Sequence, residues 1–158
     1  MEKELKKLVE RTGLDPACCV LRQVTRTSRM VVAAFDAALE PVGVTAHQFT
    51  VLVALAYGGP MNVSELAHTV GMHPSTTPRK LAPLARRGLV RIRHGEDRRQ
   101  RLIALTARGI AALKRAFPLW AEIQRDILQH LGPGAWPPIM QSLSAIRAAL
   151  NSRAGEGN

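Results

Sequence analysis

Apolar positions recur at helical intervals over most of the chain, and the interruptions fall at proline and glycine. From Ala17 to about Leu39 the residues Val20, Val24, Val31, Phe35 and Leu39 keep that spacing, with Arg22, Arg26, Arg29 and Asp36 among them, which predicts an amphipathic helix. Asp15-Pro16 is a favourable N-cap and N1 pair in front of it. Glu40-Pro41-Val42-Gly43 breaks it, since proline disfavours helix at the residue before and glycine supplies a turn. Thr45 and Gln48 then form a capping box: the threonine oxygen takes the N3 amide and the glutamine reaches back. The helix it opens, Ala46 to Tyr57, is apolar almost throughout and is expected in the core. Gly58-Gly59-Pro60 ends it, and Asn62 with Glu65 repeats the capping signal before a short helix to Val70.

Gly71 supplies the next turn, and Pro74 is placed at N1 of a helix expected to run to about Arg87, where Gly88 stops it. Pro78 and Pro83 lie within that helix, and Pro78 is expected to remove an amide that would otherwise bond, kinking the first turn. Leu89–Arg93 and Arg101–Leu105 are short aliphatic runs around a polar, glycine-containing turn and read as a β-hairpin. Within it Arg91 and Arg93 alternate with Val90 and Ile92, which predicts one basic and one apolar strand face. Thr106 can cap a long helix from Ala107 to Leu131 that contains Pro118, and a last helix is expected over Ile139 to Asn151. The fold class is therefore mainly α with a small β-hairpin wing. A winged helix-turn-helix occupies 45–106, helical flanks occupy 17–44 and 107–151, a charged lead-in covers 1–16 and a flexible tail 152–158.

Charge sharpens that picture. Of 158 residues carrying a formal net charge of +10, the 23 from Arg79 to Arg101 hold nine basic residues and two acidic ones. The basicity is thus a local surface on one helix and one ribbon, the electrostatic footprint of a duplex-DNA reader. With two Trp, one Tyr and three Phe, the core must be built from Leu, Val, Ile and Ala. MEKELKKLVER has no apolar segment of the signal-peptide kind, and the apolar runs Met30–Phe35 and Val51–Tyr57 are far short of the ~18–20 residues that cross a bilayer. No membrane contact is expected, and the cytoplasm is the default location.

Two short helices that cross closely need a small residue at the contact and a left-handed turn between them. Ala67 and Gly71 have that spacing, with Leu66, Val70 and Met72 as the apolar wedge. Ala-x-x-x-Gly alone is common in helical proteins, and it gains weight from the residues C-terminal to it. Ser75, Thr76 and Thr77 place short hydroxyls at the end of the second helix that would enter the major groove, beside His73. Arg79, Lys80, Arg86 and Arg87 come next. Such a helix by itself reads as a solvated charged face, but the adjoining hairpin contributes His94, Arg98, Arg99 and Arg101, placed for an adjacent minor groove. Asp97 within that cluster is expected to orient a neighbouring arginine by an ion pair.

From Cys18 to Leu150 the chain resembles the MarR family of winged-helix transcriptional regulators. The most specific part is the wing signature, Asp97-Arg98-Arg99-Gln100-Arg101-Leu102-Ile103-Ala104-Leu105-Thr106-Ala107-Arg108-Gly109, and Leu84-Ala85-Arg86-Arg87-Gly88-Leu89-Val90 is typical of the end of the recognition helix. The resemblance implies a homodimer whose outer helices interdigitate and whose two winged domains read a palindrome. It also implies that Arg99 enters the minor groove while Asp97 steadies the wing. A repressor released by a small aromatic or phenolic effector is the expected function. The family's usual pocket, lined by its first, second and long fifth helices, points to Arg22, Arg26, His47, Phe49 and Trp120 as effector contacts.

Other readings are weaker. Cys18 and Cys19 are adjacent, which makes a mutual disulfide strained. Two small apolar residues on a helix is the plainer reading, with thiol or metal sensing as the alternative. The histidines His47, His68, His73, His94 and His130 are dispersed, so no metal and no cofactor is expected. A winged helix used as a protein-interaction module would ordinarily lack the cationic wing. No nucleophile–base spacing, phosphate loop or paired carboxylates mark an enzyme.

Overall fold

A computed structural model of the chain describes residues 2–94 and 101–155. The first of its two compact units ends at Ala116 and the second begins at Phe117. In the first unit, α1 (Glu2–Thr12) precedes a 3₁₀ turn at Pro16–Cys18, α2 (Val20–Leu39), a second 3₁₀ turn at Glu40–Val42, and α3 (Ala46–Gly58). A two-residue strand β1 (Met61–Asn62) leads to α4 (Val63–Val70), α5 (Thr77–Arg86), β2 (Val90–His94) and β3 (Arg101–Leu105). The helix α6 (Ala107–Leu131) starts in the first unit, and α7 (Trp136–Gly155) lies in the second.

The helix starts are fixed locally, as their sequence demands. Both capping boxes form: Thr45 Oγ1 accepts from the Gln48 amide at 3.2 Å, and Asn62 Oδ1 accepts from the Glu65 amide at 2.9 Å. In return Gln48 and Glu65 accept from the Thr45 and Asn62 amides. Each cap is worth roughly 1 kcal/mol. Helix ends are equally local. Gly71 and Gly88 take φ of 66°, and the chain folds back through Met72 N–H to Ala67 O (2.8 Å) and Leu89 N–H to Leu84 O (2.9 Å).

The lead-in proves to be a helix. Glu2–Thr12 is rich in helix formers and places Leu8 and Val9 on one side, both exposed, before Gly13 ends it at φ 65°. Asp15 does cap, its Oδ1 accepting from Ala17 N at 2.8 Å, but it caps the 3₁₀ turn and not α2 itself.

β3 is the middle strand, antiparallel to both β1 and β2, with Met61 opposite Ile103 and Val90 opposite Leu105. The core lies in this unit. Leu52, Leu55, Leu66, Leu84, Leu89 and Ile103 are buried where α3, α4 and α5 close over the sheet. The apolar face expected on β2 holds at Val90 but not at Ile92, which is 56% exposed.

The junction of hairpin and α6 is tight. Thr106 Oγ1 donates to Gly88 O at 2.7 Å and accepts from the Gly109 amide at 3.0 Å, while Thr106 N–H bonds Leu89 O at 3.1 Å. Only a residue without Cβ fits at 109, because a Cβ there would overlap the Leu89 carbonyl oxygen. The Thr-x-x-Gly of the sequence is thus a close approach of helix to strand.

Burial is uneven. Leu39 is the one buried residue of α2, and no described residue after Ala116 is buried. Leu21, Val24, Met30 and Val31 on α2 and Phe117, Leu131, Met140 and Leu150 beyond it are exposed. Among the described residues no single helix is long and apolar enough to cross a membrane.

Candidate nucleic-acid interface

The turn between α4 and α5 is held by its own side chains. Thr76 Oγ1 and Thr77 Oγ1 both donate to His73 O, at 2.9 and 3.0 Å, and Thr77 N–H bonds the same oxygen at 3.2 Å. This turn occupies the residues expected to begin the helix, so α5 starts at Thr77, three residues later than Pro74 suggests. Pro78 consequently sits in the first helical turn, where an amide has no intrahelical acceptor, and the expected loss of a bond does not arise. Pro83 alone is internal and leaves the Arg79 carbonyl without its i+4 donor.

Thr77 is fully buried with its hydroxyl committed to His73 O, so it builds the turn and does not face outward. His73, Ser75, Thr76, Arg79, Lys80 and Arg86 are exposed. Ser75 N–H points at His73 Nδ1 (3.3 Å) and Ser75 Oγ lies 2.8 Å from it. Both contacts engage Nδ1, so Nε2 is the ring nitrogen turned away from Ser75. Arg91 and Arg93 on β2 and Arg101 on β3 are exposed as well. Exposed cations on one helix and the hairpin packed against it make a surface that suits a polyanion. Asp97, Arg98 and Arg99, at the tip, lie outside the described residues.

Arg87 behaves differently from its neighbours. It is half-buried and its Nη1 donates to the carbonyl oxygen of Gly43, 44 residues away, at the turn between α2 and α3. Asp36 makes the parallel tie, its Oδ1 accepting from Ala46 N at 2.6 Å at the start of α3. No local pattern marks either contact.

The five residues expected to meet an effector fall in four places. Arg22 and Arg26 line an open groove of about 610 Å³ along α2, together with Cys19, Leu21 and Met30. His47 borders a separate cavity of about 350 Å³ whose other walls include Asp36, Met72, Arg79 and Lys80. Phe49 is buried in the core, and Trp120, in the second unit, packs on Phe117 with ring centroids 5.0 Å apart. Cys18 and Cys19 are exposed, with Cys18 Sγ 3.7 Å from Asp15 Oδ2. Among the described residues no three His, Cys, Asp or Glu side chains gather as a metal site.

Comparison with known proteins agrees with this geometry. A family model described as MarR family matches residues 42–100. The HTH-type transcriptional regulator YwoH of Bacillus subtilis (strain 168) is 31% identical over 87 residues, which is 55% of this chain and 64% of that one. The match thus spans less than two thirds of that relative's length. The transcriptional regulator MosR of M. tuberculosis, solved in complex with DNA, is 34% identical with a TM-score of 0.76, over 85% of this chain and 97% of its own. The transcriptional repressor CouR, solved bound to p-coumaroyl-CoA, is 26% identical with a TM-score of 0.74, over 82% and 91% of the two chains.

Proposed function

The chain belongs to the MarR family of transcriptional regulators, and from that membership we propose that it is a cytoplasmic homodimeric repressor of a palindromic operator, released by a small aromatic or phenolic effector. The observation that carries the DNA reading is the set of exposed cations on α5 and the adjoining strands, Arg79, Lys80, Arg86, Arg91, Arg93 and Arg101, in a unit whose core they do not serve. His73, Ser75 and Thr76 contact the duplex at the leading end of α5, and Arg98 and Arg99 at the wing tip, with Asp97 orienting the arginines. MosR bound to DNA supports this assignment.

Dimerisation is supported by the unburied apolar residues of α2 and of the second unit, which one chain leaves in contact with water. The flanks 17–44 and 107–151 form the joint, and 45–106 the DNA-binding domain. Effector control is supported by the ligand-bound CouR and by two cavities among the described residues.

The test is binding to a mixed-sequence duplex across a salt series. If each protomer neutralises about four phosphates, the slope of log K against log salt is near −7. A slope shallower than about −2 removes DNA as the partner. Arg99→Ala weakens binding strongly, while Arg115→Ala, on α6, leaves it nearly intact; equal effects of the two remove the wing assignment. Sedimentation gives a dimer at micromolar concentration, and a stable monomer that still protects a palindrome contradicts the architecture.

A further inference from the structure

Arg87 is a cation of the basic run that the fold turns inward. Arg79 and Arg86, seven residues apart and so on one side of α5, are exposed. The buried residues Thr77, Leu81 and Leu84 hold the other side. Arg87 instead folds back over the bend between α2 and α3, half-buried, where its Nη1 donates to Gly43 O. Its Nη2 lies beside the same residue, since a Cβ on Gly43 would be 3.4 Å from it. The flat guanidinium therefore rests against a residue without a side chain, whose φ of 65° disfavours any Cβ. The bend is itself well fixed. Gly43 N–H bonds Glu40 O at 2.7 Å, Asp36 on α2 accepts from Ala46 N at 2.6 Å, and Leu39 and Val44 on its two sides are buried.

The recognition helix is thus held in two ways. Thr77, Leu81 and Leu84 fall at i, i+4 and i+7, a single apolar line. Burial along a line is not directional, so it resists separation more than it resists rolling or sliding. A hydrogen bond is directional and weakens steeply when misaligned. Thr77 Oγ1 ties the leading end of α5 only to His73 O, in the turn before it, at 3.0 Å. Arg87 ties the trailing end to a bend 44 residues away. Base edges are read through hydrogen bonds, whereas attraction to phosphates falls off slowly with distance and tolerates displacement. We propose that Arg87 is a positioning residue for sequence discrimination: it makes no DNA contact, and its tie to Gly43 sets α5 so that His73, Ser75 and Thr76 meet base edges in register. The inference rests on the DNA-binding reading and names what separates an operator from bulk duplex in this chain. Cutting the tie leaves the outward cations whole and lowers discrimination.

Three variants of the full chain test this. Arg87→Met keeps the apolar stem and removes the fork. Arg87→Lys keeps the charge, but its Nζ ends one bond short of Nη and has no planar fork. Arg86→Met is the comparison, a cation lost from the outward face. An operator is selected from a randomised duplex pool with the parent, and each protein is titrated on it and on a mixed-sequence duplex across a salt series. Both Arg87 variants are expected to lower the ratio of operator to mixed-sequence affinity about tenfold, the worth of one good base contact. Their affinity for mixed sequence is expected within about twofold of the parent, with the salt slope unchanged. Arg86→Met is expected to weaken both duplexes by like factors and, over two protomers, to flatten the slope by about 1.8. Loss of folded protein lowers both affinities together, so it does not move the ratio. The tie itself is read on the free chain at the Val44 amide, which shares a peptide group with Gly43 O. That amide is expected to shift in both Arg87 variants and to stay in place in Arg86→Met.

Three results overturn the proposal. One is a salt slope flattened in Arg87→Met as it is in Arg86→Met, which makes Arg87 a phosphate contact. Another is an affinity ratio in both Arg87 variants equal to that of the parent. The third is a ratio lost in Arg87→Met and restored in Arg87→Lys, which assigns the effect to charge and not to the fork. Each of these leaves the DNA reading standing. A parent chain that binds no duplex removes the DNA reading and the proposal with it.

Discussion

Replacing Gly109 by alanine tests whether the joint between hairpin and long helix is as tight as its geometry implies. A Cβ at this position would overlap the Leu89 carbonyl oxygen, lie 3.1 Å from the carbonyl carbon and 2.9 Å from Leu105 Cδ1. Ordinary carbon–oxygen contact needs about 3.3 Å, so the first turn of α6 must withdraw from β2 by about 1 Å. Overpacking of that kind costs about 1–3 kcal/mol. The withdrawal also stretches the Thr106 bonds to Gly88 O and Leu89 O, and losing such a cap adds roughly 1 kcal/mol. Against this, alanine in a helix gains about 1 kcal/mol over glycine. The net expectation is a loss of about 2 kcal/mol, or a fall in Tm of about 4–8 °C for a chain of this size. Urea unfolding followed by circular dichroism, at one fixed protein concentration so that any self-association contributes equally to parent and variant, measures it. Gly88→Ala is the comparison: its φ is 66° with open space around the Cβ, so it loses about 1–2 kcal/mol through backbone conformation alone. If Gly109→Ala unfolds within about 0.5 kcal/mol of the parent, the close approach is not a constraint and the reasoning fails.

The two prolines of α5 should respond with opposite signs. Pro83→Ala returns a donor for the Arg79 carbonyl and is expected to stabilise by about 1 kcal/mol. Pro78→Ala, in the first turn, gives up only unfolded-state rigidity and is expected to destabilise by about 0.5–1 kcal/mol. The same sign for both in urea unfolding would show that Pro78 is not in the first turn. A Cys18→Ser, Cys19→Ser double variant is expected to bind DNA and to release it with an effector as the parent does, since no histidine adjoins either thiol in sequence and the arginines that share the Cys19 groove line an open, solvent-screened surface. Peroxide that frees the parent but not the variant would make these cysteines the switch.

How much of the fold the sequence discloses depends on range. Capping boxes at Thr45 and Asn62 and the glycine stops at Gly71 and Gly88 are written within four or five residues, and the structure places them where the pattern does. The start of α5 is ambiguous in sequence because Pro74 and Pro78 each suit a first turn, and only the hydroxyl bonds to His73 O decide between them. β1 gives no signal because two residues carry no periodicity; its strand exists only through pairing with Ile103 and Leu102. Contacts across the fold leave no trace at all. Nothing around Arg87 distinguishes it from Arg86, yet one bonds Gly43 O and the other is exposed. Family resemblance puts Phe49 at a pocket by position, whereas the packing of α3 turns it into the core.

The tie between Arg87 and Gly43 also gives α5 a lever geometry, with its last turn at the pivot. Gly43 holds φ of 65° at the bend between α2 and α3, and Arg87 pins the last turn of the recognition helix to it. The ten residues of α5 extend about 15 Å from that pin. Swinging the helix by about 5° around it displaces the Ser75–Thr76 end by little more than about 1 Å over that length, close to the tolerance of a hydrogen bond. By this lever arm, a change in the bend at Gly43 that turned the helix about its pinned end would displace the Ser75–Thr76 end far more than the Arg87 end.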